Sequence, residues 1–201
     1  MIRAYTFLSD YPPADFKKAG ELARQVLSNE HLSPQVARLA NWLLSYVLVQ
    51  ERDFEGAIAA ADKTVALAPY DMFVLSRLMM VLVQAGWLDQ ALHWADEAAA
   101  HDPGLGWSYN YGKGWVYLLM ERFAEAADAL RQTEFNDAHL LLAIAYSRLG
   151  RLADARAEVG KMTGVNPTLT LQTWRLGYSF RDPGIPHRYS LDLVKAGLPE
   201  R

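Results

Sequence analysis

The sequence predicts an all-α fold, a solenoid of about four antiparallel helix pairs, from two recurring features. A motif of one large apolar residue, two spacers and an alanine occurs four times, with its alanines 34, 35 and 29 residues apart. These alanines are Ala57, Ala91, Ala126 and Ala155. A proline also lies twelve residues past three of them. A fixed period of this length is typical of chains in which one supersecondary unit stacks on the next.

Each repeat is predicted to place its alanine early in the second helix, where the paired backbones approach most closely. A larger side chain there would cost roughly 1–3 kcal/mol through overpacking. The facing position, twelve residues earlier, holds a small residue in three repeats and Met79 in the second. Gly86 and Gly150 are expected in the turns between paired helices, where glycine accepts the left-handed conformation.

The third repeat is the irregular one. Its second helix is predicted over 123–132, without a closing proline, and residues 134–137 form a tight link to the fourth repeat. Its first helix contains Gly112 and Gly114, each costing about 1 kcal/mol relative to alanine in a helix interior. Lys113 lies where a core leucine is usual. We therefore expect this helix to bend or its register to shift by one residue.

The chain ends are predicted to cap the stack, because terminal repeats must cover the apolar faces of a solenoid. A helix over 15–27 and a short one over 2–10 form a degenerate N-terminal pair. Ser33 and Pro34 begin the next helix as N-cap and first-turn proline. Near the C-terminus a helix is expected over 168–179, and a last one begins at 182–183 and ends at 195–199.

This pattern resembles the tetratricopeptide repeat, and the resemblance covers residues 34–167. It implies a right-handed superhelix whose first helices line the concave side, forming one solenoid over residues 1–201. Its parts are an N-terminal pair (1–33), four repeats (34–69, 70–103, 104–135 and 136–167) and a C-terminal capping pair (168–201). The resemblance further implies a module that binds proteins or peptides.

A narrower resemblance lies near the C-terminus. The stretches Phe-Arg-Asp-Pro at 180–183, Arg-Tyr at 188–189 and Lys-Ala-Gly-Leu-Pro-Glu at 195–200 carry it. They are similar to the tails of tetratricopeptide regions attached to bacterial class III adenylate cyclases, and of those beside winged-helix regulators. The resemblance implies an adaptor or regulatory module of a bacterial signalling protein. It does not imply cyclase activity, since the sequence shows no metal-binding aspartate pair.

Composition excludes several classes of partner. The 201 residues carry a net charge of −3, and no Lys/Arg run exceeds two residues, which disfavours nucleic acid and anionic membranes. The absence of cysteine excludes disulfides and thiol nucleophiles and suits a reducing compartment. The first residues contain too short an apolar stretch for a signal peptide, and no apolar run could span a bilayer. A cytoplasmic protein is expected.

No catalytic, cofactor-binding or metal-binding set is expected. Residues 106–114 resemble a phosphate-binding loop but have five spacers, with Gly114 in place of the required serine or threonine. The five histidines lack the spacing of paired metal ligands and are expected at the surface. No serine lies in a Gly-x-Ser-x-Gly turn. The sequence therefore predicts a non-enzymatic protein that uses no cofactor.

The candidate binding surface is the concave face, whose residues lie at fixed offsets before each alanine. It is mostly apolar and aromatic, with two isolated arginines. The candidates are Trp42, Tyr46, Phe73, Arg77, Met80, Tyr111, Trp115, Leu140, Ile144 and Arg148. Aromatic and methionine side chains favour an apolar or amphipathic peptide. The paired cations of a clamp for a peptide carboxylate are not present at these positions.

Three arrangements of this aromatic stripe are left open by the sequence. The stripe is core beneath the C-terminal helices, or an open groove for a protein or peptide, or the seam of a homodimer. A different function, a small hydrophobic ligand in a pocket inside the superhelix, would use the same side chains. An exposed apolar groove of several hundred Å² is unusual without a partner.

Overall fold

The computed structural model describes residues 13–201 apart from 70 and 177, with the side chains of 13–15, 73, 105 and 176 also outside the description. Every regular element within this part is helical. The α-helices are α1 (Pro13–Leu27), α2 (Pro34–Gln50), α3 (Phe54–Leu67), α4 (Met72–Ala85), α5 (Leu88–His101), α6 (Gly106–Leu119), α7 (Phe123–Leu130), α8 (Ala138–Arg148), α9 (Leu152–Val165), α10 (Leu171–Leu176) and α11 (Gly184–Lys195). The helix expected over 2–10 lies outside the described residues.

The helices stack in sequence as the predicted α-solenoid. The pairs α2–α3, α4–α5, α6–α7 and α8–α9 pack within themselves, and each pair also packs on the next. α1 packs on α2, and α11 packs on α8. The expected all-α solenoid is thereby confirmed.

The recurring alanines lie where two helices of a pair meet. Ala57, Ala91, Ala126 and Ala155 are each 0% exposed. Opposite them, at the position twelve residues earlier, Ser45, Met79 and Ala143 are also 0% exposed. The period in the sequence is therefore a packing requirement, because a fully enclosed methyl group leaves no room for a longer side chain.

The two glycines of α6 explain how the irregular repeats pack. A Cβ atom built at Gly112 would lie 2.4 Å from Met79 Cε, so this glycine makes room for the one large residue at a small-residue position. A Cβ atom at Gly114 would lie 2.4 Å from Leu130 Cγ of the paired helix. α6 continues through both glycines. Lys113 points outward instead, and its Nζ lies 2.6 Å from Asp96 Oδ1.

The turn between the helices of each pair has one residue in the left-handed region, five positions before the alanine. Gly86 (φ 81°) and Gly150 (φ 74°) are in this conformation, as predicted. Arg52 (φ 64°) and Glu121 (φ 59°) occupy the equivalent positions in the first and third repeats. The left-handed conformation costs a non-glycine residue about 1–2 kcal/mol.

Helix starts follow the predicted caps. Ser33 Oγ accepts a hydrogen bond from Val36 N over 3.3 Å, and Pro34 occupies the first turn of α2. Asp182 Oδ1 accepts from Gly184 N over 2.8 Å at the start of α11. Gly197 follows that helix with φ 95°. Both predicted helix starts are therefore correct.

Two predicted helices were too long. α7 ends at Leu130 rather than at residue 132. The chain leaves the helix early and brings Phe135 to 4.9 Å from the Tyr111 ring. The helix predicted over 168–179 was wrong beyond α10, since the backbone at 178–180 forms no regular element. Tyr178 and Phe180 face the same neighbour, and residues two apart do not share a helix face.

Candidate functional site

The concave face of the central repeats contains a short extended segment of the chain itself. We call residues 178–181 the inner segment. Two of its rings pack on Trp115 of α6: the Tyr178 centroid lies 4.9 Å away and the Phe180 centroid 5.3 Å away. Tyr189 of α11 adds a third ring at 6.4 Å. Trp115 is consequently 0% exposed.

Gln84, in the last turn of α4, binds the backbone of the inner segment at two points. The Ser179 amide donates to Gln84 Oε1 over 3.0 Å, and the Arg181 amide donates to the Gln84 carbonyl oxygen over 2.8 Å. The last four carbonyl groups of a helix have no partner within it. The inner segment therefore satisfies an acceptor at the end of α4, while Ser179 Oγ donates to Gln50 Oε1 of α2 over 2.9 Å.

Arg52, in the turn after α2, binds the same backbone from the other side. Its guanidinium donates to the carbonyl oxygens of Phe180 and Arg181, each over 3.1 Å. The Arg181 side chain in turn lies 2.7 Å from Glu55 Oε1 at the start of α3. Both guanidinium groups also lie over the Phe54 ring, at 5.3 and 5.1 Å from its centroid. The first repeat thus holds the end of the inner segment.

A single repeat position supplies many of these contacts. Seven residues before the alanines stand Gln50, Gln84, Leu119 and Arg148. The two glutamines bind the inner segment, and Arg148 Nε lies 2.6 Å from Asp192 Oδ2 of α11. Asp192 is buried, so this ion pair fastens the last helix to the fourth repeat. Three of the four residues at this position are polar, but the repeat pattern alone did not say what they bind.

A buried polar cluster lies beside the Tyr178 ring. Tyr111 Oη donates to Asp137 Oδ2 over 3.2 Å and lies 3.4 Å from the Tyr178 hydroxyl. Burial raises the pKa of Asp137, against hydrogen bonds from its own backbone and from Tyr111 and the charge of Arg77. Burial, followed by the charge of Asp137, raises the pKa of both tyrosines. These hydroxyl groups therefore stay protonated and act as hydrogen-bond donors.

The structure divides the predicted site residues into three sets. Five of them are buried: Met80, Tyr111, Trp115, Leu140 and Ile144. Of these, Tyr111 and Trp115 contact the inner segment. Trp42, Tyr46 and Arg77 are half-buried at the N-terminal half of the face, where Tyr46 Oη donates to the Arg77 carbonyl oxygen over 2.5 Å. Arg148 is exposed and bound to Asp192. The Phe73 side chain lies outside the described residues.

The N-terminal half of the concave face, formed by α2, presents exposed apolar side chains. Val36 is 43% exposed and Leu39 is 42% exposed. Leu39 lies three residues before Trp42, a predicted residue of the concave face, and half-buried Trp42 and Leu43 continue this stripe along α2. The inner segment contacts α2 at Gln50, near the other end of the helix from Val36 and Leu39.

Ionisable side chains of the described residues form ion pairs and hydrogen bonds with one another. Within the described part of the chain, no group of three or more His, Asp and Glu could hold a metal ion. His139, expected at the surface, is half-buried, and its Nδ1 lies 2.6 Å from Glu158 Oε2. Lys161 Nζ lies 2.8 Å from the other oxygen of Glu158. Among the described helices none is both long and apolar enough to cross a membrane.

Solved structures share this fold. TTC0263, a thermophilic TPR protein of Thermus thermophilus, superposes with a TM-score of 0.64 at 22% identity, covering 90% of this chain and 92% of its own. A MamA structure reaches 0.52 at 20% identity, covering 80% and 90% of the two chains. MamA of Desulfovibrio magneticus RS-1, from residue 41 to its end, reaches 0.53 at 17% identity, covering 80% and 89%.

No protein-family model and no curated protein sequence matches this chain. At these identities the solved structures show the fold alone: a tetratricopeptide-type solenoid. The narrower resemblance of the C-terminal residues to regions beside cyclases and winged-helix regulators finds no support in these comparisons and stays a prediction.

Proposed function

We propose that this chain is a non-enzymatic protein–protein interaction scaffold whose concave face binds an extended apolar or amphipathic peptide. One observation carries the proposal: that face already holds an extended stretch of polypeptide, residues 178–181. Its backbone donates two hydrogen bonds to Gln84 and accepts two from Arg52, and Trp115 packs on two of its rings. The surface is therefore shaped for the backbone and side chains of an extended peptide.

Two kinds of contact would recognise a bound peptide. Hydrogen bonds to backbone atoms supply affinity for any extended sequence, whereas pockets for alternate side chains supply specificity. Gln84 and Arg52 provide the first kind, and Trp115 provides the second. Scaffolds of this architecture bind through such extended concave surfaces.

The proposed partner-binding residues fall in two parts of the face. The part that extends beyond the inner segment contains Trp42, Tyr46 and Arg77, and we assign Phe73 to it from its position in the repeat alone. Met80, Tyr111, Trp115, Leu140, Ile144 and Arg148 form the part at the C-terminal residues. We also propose a cytoplasmic location, from the composition, and a role as adaptor or regulatory module, from the resemblance of the C-terminal residues.

We do not propose the alternative of a small hydrophobic ligand inside the superhelix. That pocket would require space around Trp115 and Tyr111. The side chains of Tyr178 and Phe180 occupy it, and no observation favours their replacement by a small molecule.

Peptide selection followed by one matched pair of variants tests the function. Peptides selected from a random library on the purified protein should bind it, and Leu39→Asp should weaken them by about tenfold or more. Leu67→Asp is the control: Leu67 is 40% exposed against 42% for Leu39, but it lies on the second helix of the same repeat. A failure to select any peptide, or equal effects of the two variants, would contradict the proposal. Light scattering of the protein alone reports whether a second copy is the partner.

A further inference from the structure

We infer that the partner carries an extended segment with the pattern aromatic, any residue, aromatic, arginine, and that it binds by taking the place of residues 178–181. This inference rests on the proposed function, because it names the peptide that the same face takes. The present occupant supplies the pattern, as Tyr178, Ser179, Phe180 and Arg181.

The aromatic positions follow from the alternation of an extended chain. Successive side chains of such a chain point in opposite directions, so the first and third share one side. The Tyr178 and Phe180 rings stack at 5.9 Å with an interplanar angle of 22°, and both pack on Trp115. Ser179 turns toward Gln50 instead. An incoming segment therefore needs rings at its first and third positions, whereas its second position is open to small polar residues.

The arginine position follows from the acid at the end of the groove. Arg181 and Glu55 form an ion pair at 2.7 Å, and the Glu55 side chain is 73% exposed. An exposed pair of this kind contributes little affinity. It sets the register instead, since only one placement of the peptide brings a cation to Glu55 while both rings reach Trp115.

The occupant is replaceable because most of the groups that hold it recognise backbone. The amides of Ser179 and Arg181 and the carbonyl oxygens of Phe180 and Arg181 make the four backbone contacts. Any extended segment offers the same amides and carbonyls, so an exchange leaves no buried group without a partner.

The inner segment competes as a tethered ligand. Its effective concentration is on the order of millimolar, which a free peptide of equal affinity cannot match at micromolar concentration. A natural partner therefore needs additional contacts, and the exposed side chains of Val36 and Leu39 on α2 provide an apolar surface for them. Such a partner is longer than the four residues it displaces.

The test weakens the binding of residues 178–181 to the groove without changing any residue that lines the groove. The probe is a fluorescent peptide with the sequence of residues 176–183, and the control peptide carries alanine in place of both aromatic residues. The proteins are the full chain and its double variant Ser179→Ala/Arg181→Ala, which removes only side-chain contacts of the occupant. Fluorescence anisotropy should show roughly tenfold tighter binding of the probe to the double variant. Most of this gain comes from the lost Ser179–Gln50 hydrogen bond and a smaller share from the exposed Arg181–Glu55 pair, since both losses lower the competition.

A control variant and a check of folding accompany the double variant. Arg188→Ala, which removes another exposed arginine pair near the C-terminus, should bind the probe as the unaltered chain does. Circular dichroism confirms that each variant is folded. Equal binding to the chain and the double variant, or equal binding of both peptides, would overturn the inference. A double variant that is folded but does not bind the probe would also overturn the inference. The same holds for a double variant that light scattering shows to be a dimer.

Failure of the inference is distinguishable from failure of the proposed function. One outcome is that the selected peptides depend on Leu39 but bind the double variant no more tightly than the unaltered chain. This outcome would support the proposed scaffold function and contradict the displacement of residues 178–181. Failure to select any peptide at all would remove both.

Discussion

The Arg52 guanidinium donates a hydrogen bond to the Phe180 carbonyl oxygen over 3.1 Å, joining two residues 128 positions apart. Arg52 makes this contact from a left-handed backbone conformation, at φ 64°. The equivalent residue of the third repeat, Glu121, has the same conformation at φ 59°. No hydrogen bond of the Glu121 side chain is seen among the described residues. The two positions therefore separate backbone strain from the contact that accompanies it.

Replacing each of these residues by glycine should have opposite effects on stability. Glu121→Gly should raise the free energy of unfolding by about 0.5–1 kcal/mol, since glycine takes the left-handed conformation readily. Arg52→Gly gains the same relief but loses two charge-assisted hydrogen bonds, each contributing about 1.5–3 kcal/mol, and should be destabilised. Urea unfolding of both variants measures the difference. Equal stabilisation of both would show that Arg52 does not hold the inner segment.

The contact of α6 with α7 should tolerate no methyl group at Gly114. A Cβ atom there would lie 2.4 Å from Leu130 Cγ and 2.5 Å from Leu130 Cδ2, so Gly114→Ala should destabilise by roughly 1–3 kcal/mol through overpacking. Gly160→Ala on α9 is the matched control, because a Cβ atom there meets nothing within 4 Å. It should stabilise by up to about 1 kcal/mol through helix propensity. Thermal unfolding measures both, and a stable Gly114→Ala variant would contradict the packing described.

Asp137 should make stability fall as pH rises. Burial raises the pKa of its carboxyl, so the folded protein holds the proton more tightly than the unfolded chain does. Its ionisation therefore costs stability above the ordinary pKa of aspartate, and the full cost is present above the folded-state pKa. Asp137→Asn stays neutral and keeps an acceptor for Tyr111, so it should raise the melting temperature at neutral pH.

The pH dependence of that difference provides the control. The melting temperatures of the unaltered chain and Asp137→Asn should converge as the pH is lowered through the titration range of aspartate, where both side chains are neutral. A constant difference at every pH would show that the ionisation of Asp137 does not cause it, and a less stable variant at neutral pH would show that the charge is stabilised in the fold.

Removing one ring of the inner segment should lower the stability of the protein. Phe180 is 1% exposed and packs on Trp115, so Phe180→Ala should cost about 3–5 kcal/mol of stability. Leu191→Ala on α11 is the control, since Leu191 is 52% exposed and should change stability by less than about 0.5 kcal/mol. Denaturant unfolding compares the two. A small effect of Phe180→Ala would mean that the groove closes equally well without its occupant.

The period of the repeats could be predicted from the sequence because helix packing restricts the size of the side chain at one fixed position in each repeat. Ala57 and Ala155 are each enclosed completely, so their size is dictated by local geometry. Met79 broke the small-residue pattern without breaking the fold, because Gly112 of the next repeat makes room for it. That compensation links two repeats and has no signature in either one alone.

The inner segment was not readable from the sequence. Residues 168–179 were predicted to be helical from local pattern, whereas the contacts that extend the chain at 178–181 come from Gln84 and Arg52, far away in the chain. Tertiary contacts of this kind override local preference. The stripe containing Trp115 was predicted to line the concave face, and Trp115 is 0% exposed, but periodicity could not say which side chains pack on it.

Amide hydrogen exchange, followed by nuclear magnetic resonance, tests the central claim most directly. The Ser179 and Arg181 amides donate to Gln84, so in the free chain both should exchange much more slowly than in an unstructured peptide. Addition of the probe peptide in excess to the Ser179→Ala/Arg181→Ala variant should release the amides at these two positions to rapid exchange. Rapid exchange of Ser179 and Arg181 in the free chain, or protection unchanged in the variant saturated with peptide, would contradict the account.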